Sequence, residues 1–348
     1  MNRGVTYALL AAALFGASTP LAKQLVGDMH PLVLAGLLYL GSGLGLCVVL
    51  GLRKLLAKGR LDIAWPAGTD WAWLAGAILC GGVFAPVLLM QGLVSSSAAS
   101  ASLLLNLEAV LTVLIAWFVF RENFDRRIAV GMASIAAGGI VLSWAPGAGR
   151  LAPGAALIAA ATAFWAIDNN LTRKVAANDA VVVAGLKGLI AGSVSLACAT
   201  VLGLKFPPSG TVPAAALLGF LGYGVSLVLF VLALRHLGTA RTGAYFSVAP
   251  FFGAALAIGL QHDTVTVQLV IAAALMALGV WLHVSERHEH EHVHATTEHE
   301  HPHRHDDHHR HVHPNSWDGV EPHTHQHVHE AIVHRHAHVP DIHHRHPH

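Results

Sequence analysis

Residues Ala98–Glu122 read AASASLLLNLEAVLTVLIAWFVFRE. The run is apolar for the roughly 20 residues that a helix needs to cross a bilayer. One carboxylate, Glu108, sits near its middle. An acid at that depth costs about 2.5–3.5 kcal/mol on insertion scales, so it faces a partner, a water-filled cavity or a passing substrate instead of lipid. The stretch has an echo at 240–263. In register, Ser96-Ser97-Ala98 meets Gly238-Thr239-Ala240, and Ala101-Ser102 meets Gly243-Ala244. Glu108 falls on Pro250, and Arg121-Glu122 falls beside Gln261-His262-Asp263. The chain therefore reads as two related halves that differ in chemistry at Glu108.

Working outward, only 12% of the 348 residues are charged, against about 25% in ordinary soluble domains. Apolar runs recur to about residue 284 and predict an all-α membrane protein. The alternating ten-residue pattern of a β-barrel is absent. Ten transmembrane helices are expected, near 4–22, 31–51, 71–93, 98–120, 127–144, 153–171, 180–203, 213–235, 240–260 and 266–284. The first is read as a retained helix because further spans follow it at once. Cys47, Cys80 and Cys198 lie in apolar runs without CxxC spacing, so neither a disulfide framework nor a thiolate zinc site is expected.

Charge predicts orientation. With the N-terminus inside, twelve Lys and Arg fall on inner segments and three (Lys23, Arg150, Lys205) on outer loops. That bias places both termini in the cytoplasm. The expected setting is thus the cytoplasmic (inner) membrane, crossed many times, with the lipid bilayer as a partner and no nucleic acid.

A second echo sets the topology. Phe15-Gly16-Ala17-Ser18-Thr19-Pro20 lines up with Trp165-Ala166-Ile167-Asp168-Asn169-Asn170 at a spacing of 150 residues. Each half holds five spans, an odd number, so the halves are expected as two inverted five-helix repeats, 1–145 and 150–284, with a site between them near the midplane. Small residues such as Ser95–Ser102, Gly41, Gly43 and Gly45 read first as close helix seams.

Candidate pathway residues are the polar groups stranded in these spans. Glu108 reads as a proton carrier or as a ligand for a cationic or amino substrate, with a merely structural acid as the plainer reading. Asn106, about 200° further round the helix, is expected to meet other neighbours. Asp168, Asn169 and Asn170 interrupt the sixth span. Lys187 lies at a similar depth and either pairs with Asp168 or snorkels to the headgroups. Ser18 and Thr19 sit beside Pro20 at the matching place in the first span, and Gln91 and Tyr245 are further candidates for a polar wall. Trp65, Trp71, Trp73, Trp144 and Trp281 read as interfacial anchors.

Residues 285–348 carry 23 of the 27 histidines and eleven acids. Few large apolar residues remain, so this His-rich tail is expected to be disordered. Its H-x-H spacing suits Zn, Ni, Co or Cu, with His303, His305, His308, His309, His311, His313, His343, His344, His346 and His348 as the expected ligands. Metal buffering or sensing, a pH response and a plain solvated tail are all compatible with that composition.

The two openings, Phe15-Gly16 and Trp165-Ala166, together with the small-residue run into Leu107-Glu108-Ala109 and Ala249-Pro250-Phe251, resemble the drug/metabolite transporter superfamily, and within it the EamA-type members. Glu122 and Asp263 fit the same pattern. The likeness runs from about Val5 to Val284, while Glu108, where the family often has proline, and the tail depart from it. It implies a secondary exporter of an amino acid, metabolite or drug by alternating access, needing no cofactor. A divalent-metal carrier that uses the tail is the alternative; against it, the spans hold no His/Asp/Glu cluster with ligand spacing. A phosphate-loop motif is absent, and no Ser-His, HExxH or paired-carboxylate arrangement suggests an enzyme. Oligomeric state is not readable.

Overall fold

In the computed structural model the described residues are 3–57, 63–120, 126–145, 150–175, 178–285, 289–294, 297–303, 323–329 and 332–337. They fall into two units, Met1–Glu286 and Arg287–His348, which are taken separately.

The first unit is almost wholly helical. Its first half holds α1 (Arg3–Val26), α2 (Pro31–Leu56), α3 (Asp70–Ala77), α4 (Ala85–Ser95), α5 (Ala98–Leu104), α6 (Leu107–Phe120) and α7 (Arg126–Ser143). A short ladder of β1 (Trp144–Ala145) and β2 (Arg150–Leu151) follows. The second half holds α8 (Pro153–Thr172), α9 (Ala180–Val201), α10 (Thr211–Gly219), α11 (Ser226–Phe246), α12 (Ala249–Gln261) and α13 (Val267–Val284).

Matching elements begin 141–150 residues apart, and small irregularities repeat with them. A π-helical segment joins α3 to α4 at Ile78–Phe84, and another joins α10 to α11 at Phe220–Val225. The helical run breaks at Leu105-Asn106 before α6 and at Ser247-Val248 before α12. α2 is capped by His30, whose Nδ1 accepts from Leu32 N, and α9 by Asp179, which accepts from Val181 N. Packing repeats as well: α2 lies on α9 and α7 on α13, α1 on α11 as α4 on α8, and α1 on α12 as α6 on α8. Exchanging the halves turns the first two pairs into themselves and each of the others into its stated counterpart.

Lipid offers no hydrophobic force between helices, so they hold by close packing of small residues and by hydrogen bonds. The α2–α9 seam shows why glycine is needed. A Cβ on Gly43 would lie 2.3 Å from Leu189 N, and one on Gly188 would lie 2.5 Å from Gly43 N. At one end of the bundle, Asp263 accepts from Ala99 N at 2.8 Å, and Gln261 Nε2 donates to Pro20 O. Lys23 Nζ donates there to Leu93 O. At the other end, Arg53 bridges Asp179 at 3.2 Å and Asn178 Nδ2 donates to Asp70. Burial works against the charge on Asp179, but hydrogen bonds from Arg53 and from the Val181 and Val182 amides outweigh it. The carboxyl is held below its ordinary range.

Among the described residues, seven helical runs are long and apolar enough to cross a membrane by length and composition. α12 and the 267–282 part of α13 are shorter apolar runs, and α8 carries the polar Asp168-Asn169-Asn170. The turn expected near 236–239 is helical, because Leu237-Gly238-Thr239 contains no proline and α11 continues to Phe246. Span nine is therefore shared between the end of α11 and α12.

The tail, in turn, is paired strand where it is described. β3 (Glu289–His294) runs antiparallel to β6 (Ile332–Ala337), and β4 (Thr297–His303) to β5 (His323–His329). H-x-H alternation has the period of a strand, whose ladder is made by the backbone.

Candidate functional site

The stranded polar groups meet where α6 and α9 flank α8. Lys187 Nζ donates to Asp168 Oδ1 at 2.6 Å and Oδ2 at 2.7 Å, and the hydroxyl of Thr172 lies 2.8 Å from Oδ1. Asp168 is 5% and Lys187 9% exposed. The lysine thus turns inward to its partner instead of snorkelling. A carboxylate this enclosed persists because its charge is matched and both oxygens are bonded.

The seat for Asp168 is built by the opposite half. A Cβ on Gly81, in the first π-helical segment, would lie 1.8 Å from Asp168 Oδ2. The π geometry loosens the local ladder, and the Gly81 carbonyl accepts from Tyr39 Oη at 2.6 Å and Trp165 Nε1 at 2.9 Å. The other half repeats the device without the charge: a Cβ on Gly222 would lie 2.7 Å from Ser18 Cβ. Ser18 donates to Phe15 O at 2.6 Å, and Thr19 is buried beside it.

Glu108 lies in the first turn of α6 and is half-buried. Asn169 Nδ2 donates to Glu108 Oε1 at 2.7 Å and lies 3.3 Å from Thr112 Oγ1. Asn170 Nδ2 ties α8 back to Thr112 O at 3.3 Å. Which way this group faces follows from helix geometry. Ile167 and Asn169 are both exposed, yet they sit about 200° apart on α8. Ala156, on the side of Ile167, is exposed too. The apolar pair marks the outer face, so Asn169 opens on the opposite side, between the helices.

Aromatic rings line the neighbouring level. Phe15 lies 6.5 Å from Trp165, 6.0 Å from Tyr223 and 5.5 Å from Phe246, and Tyr39 lies 5.4 Å from Tyr223. Both halves contribute to this cluster. Tyr39, Tyr223 and Phe246 were not among the expected site residues; a tyrosine inside an apolar run was the available signal, since its hydroxyl needs a partner.

Other expected residues lie elsewhere. Asn106 donates to Leu103 O at 3.1 Å and approaches Met276 Sδ, so it closes the break before α6 and turns to α13. Gln91 is exposed on the face of α4 that follows on from Phe84, and Tyr245 is 37% exposed near the end of α11. Of the expected metal ligands, His303 ends β4; His305, His308, His309, His311, His313, His343, His344, His346 and His348 lie outside the described residues, as does Glu122.

Apolar helices long enough to span, with charges paired between them, describe a multi-pass membrane protein. The comparisons identify which kind. The model of the EamA-like transporter family matches residues 2–144 and again 152–285, so the chain belongs to that family, within the drug/metabolite transporter superfamily. An uncharacterized transporter of Methanothermobacter thermautotrophicus (strain Delta H) is 26% identical over 288 residues, 79% of this chain and 84% of the relative. A solved crystal structure, 23% identical, matches with a TM-score of 0.59 over 80% of this chain and 95% of its own, which speaks to fold alone.

Proposed function

We propose that the protein is a secondary exporter of a small polar organic solute across the cytoplasmic membrane, working by alternating access. The observation that carries this is the Glu108–Asn169 pair, held beside an internally neutralised Asp168–Lys187 bridge and opening between the helices. Repeated offsets and reciprocal packing support halves of opposite orientation with a shared passage. The positive-inside bias supports cytoplasmic termini. On that orientation the end tied by Asp263, Gln261 and Lys23 is the outer one.

The test is counterflow in vesicles holding the purified full chain, against a panel of amino acids, metabolites, dyes and divalent cations. Saturable exchange of at least one organic solute is expected. Exchange of divalent cations alone would overturn the reading.

One observation favours metal handling by the tail as a second reading. The register sets His299 opposite His327, His301 opposite His325 and His303 opposite His323, and residues two apart in a strand share a face. Neutral imidazole is a common ligand of Zn, Ni, Co or Cu. Metal sensing or buffering is then a property of the tail, added to transport by the bundle.

A further inference from the structure

The strands of the tail keep one antiparallel register. His294 stands opposite Ile332 at the end of the β3–β6 ladder, and three residues on, Thr297 stands opposite His329 at the start of the β4–β5 ladder. Along that register histidine meets histidine. In β4–β5 the pairs are His299–His327, His301–His325 and His303–His323. In β3–β6 they are His290–His336 and His292–His334. The positions between them hold no histidine on either strand: Glu298 meets Val328, Glu300 meets Gln326 and Glu291 meets Arg335. A slip of one residue in either direction would leave none of the five histidine pairs.

Little else in the ladders selects that register. Among the described pairs, Val293 opposite Val333 is the one pair of large apolar residues, and Glu291 opposite Arg335 the one pair of opposite charge. A two-stranded ladder alone is marginal in water. What two histidines set opposite each other share is a ring nitrogen with a lone pair, and a bridging cation uses both. The spacing fits one ion to two neighbouring pairs. Opposite residues in an antiparallel ladder stand about 5 Å apart, and residues two apart on one strand stand about 7 Å apart and share a face. Zinc takes four ligands in a tetrahedron, with each nitrogen about 2 Å away. His299 and His301 with His325 and His327 make one such set. His290 and His292 with His334 and His336 make another. Among the described residues no three ligating side chains are already gathered into a metal site, so the ion has to draw its ligands together from the two strands.

We propose that each ladder is closed by one divalent cation of the zinc class, held by four histidines, two from each strand, and that the ion fixes the strands in register. Ion binding and strand pairing are then one linked equilibrium. Each ring gives a nitrogen lone pair, and nothing is oxidised or reduced. This rests on the reading of the tail as a metal handler and adds its ligand sets and their consequence for the fold.

The experiment uses the full chain in detergent micelles with zinc alone, and counts the ions kept per chain after dialysis. The double variants His299→Gln/His301→Gln and His325→Gln/His327→Gln should each keep one ion fewer than the wild type. The variant with all four changes should also keep one fewer, because both strands hold the same ion. A loss of two ions from the four-fold variant would overturn the proposal, since each strand would then hold its own. An undiminished count in either double variant would overturn it as well. A second measurement reads the pairing. With Cys47, Cys80 and Cys198 replaced by serine, spin labels on Glu300→Cys and Gln326→Cys, an opposite pair without histidine, should come close on adding zinc and separate on adding chelator. Labels whose separation ignores zinc would break the link between ion and register while leaving the tail a metal binder. If the wild type keeps no zinc at all, the metal reading of the tail falls too.

Discussion

Replacing Lys187 with Met tests the enclosed bridge directly. The substitution keeps much of the side-chain length and removes the ammonium. Asp168 then keeps one partner of the three contacts described, the Thr172 hydroxyl at 2.8 Å, at a position 5% exposed. Removing one member of a buried pair costs about 3–5 kcal/mol, because the other charge is left uncompensated. Asp168→Asn in the same chain removes that charge and leaves a side chain of nearly equal size beside Gly81. The double variant should therefore recover at least about 2 kcal/mol of the loss, a positive coupling of the kind a double-mutant cycle measures. Unfolding in mixed detergent micelles, followed by tryptophan fluorescence for the wild type, both single variants and the double, gives the four free energies. A Lys187→Met cost below about 1 kcal/mol would refute the reasoning, and so would a double variant no more stable than Lys187→Met.

Other predictions follow from neighbouring geometry. Gly81→Ala places a methyl 1.8 Å from the Asp168 carboxylate; because Asp168 must shift, the variant should lose stability on the scale of an overpacked core, about 1–3 kcal/mol, together with solute counterflow in vesicles. Asp179→Ala should cost about 1 kcal/mol as a lost cap, whereas Asp179→Asn keeps the cap and loses only a partly exposed pair, worth at most about 1 kcal/mol. The Asp179 carboxyl is held below its ordinary range, so its contribution is present above the unfolded carboxylate range and fades as pH falls through the lower, folded value; acid titration of Asp179→Asn should show that loss reduced. Deleting 285–348 should leave organic-solute counterflow intact while removing most of the chain's Zn or Ni binding in calorimetry, and loss of counterflow on deletion would tie the tail to transport itself.

The charged part of the site was readable because lipid makes it so. Glu108, Asp168 and Lys187 each interrupt an apolar run, and a charge at that depth demands a partner. Depth left Lys187 to pair with Asp168 or to snorkel, and the structure shows the pair. Gln91 lies on an exposed face of α4, and a single polar residue in an apolar helix does not reveal which face it occupies. The same is true of Asn106, and only the break at Leu105-Asn106 shows that it closes a helix end. The seat for Asp168 was harder still. Gly81 reads in sequence as one more small residue at a seam, and its role depends on a π-helical segment that no periodicity announces. The aromatic wall escaped notice because Phe15, Trp165 and Tyr223 come from distant parts of the chain. The turn near 236–239 came from the gap left between spans 213–235 and 240–260; in the matching place Ser97 accepts from Ser100 N and starts a new helix, whereas Gly238-Thr239 lies within a continuous one.

The direction that Asn169 faces is the most direct point at which to press the account. In a chain with Cys47, Cys80 and Cys198 replaced by serine, single cysteines at 167 and 169 would be exposed to a water-soluble, membrane-impermeant thiol reagent in oriented vesicles. Cysteine at 169 should react, and be protected by transported solute, while cysteine at 167, facing acyl chains, should stay inert. Equal inertness at both positions, or reaction at 167 with none at 169, would contradict a water-filled passage at Glu108.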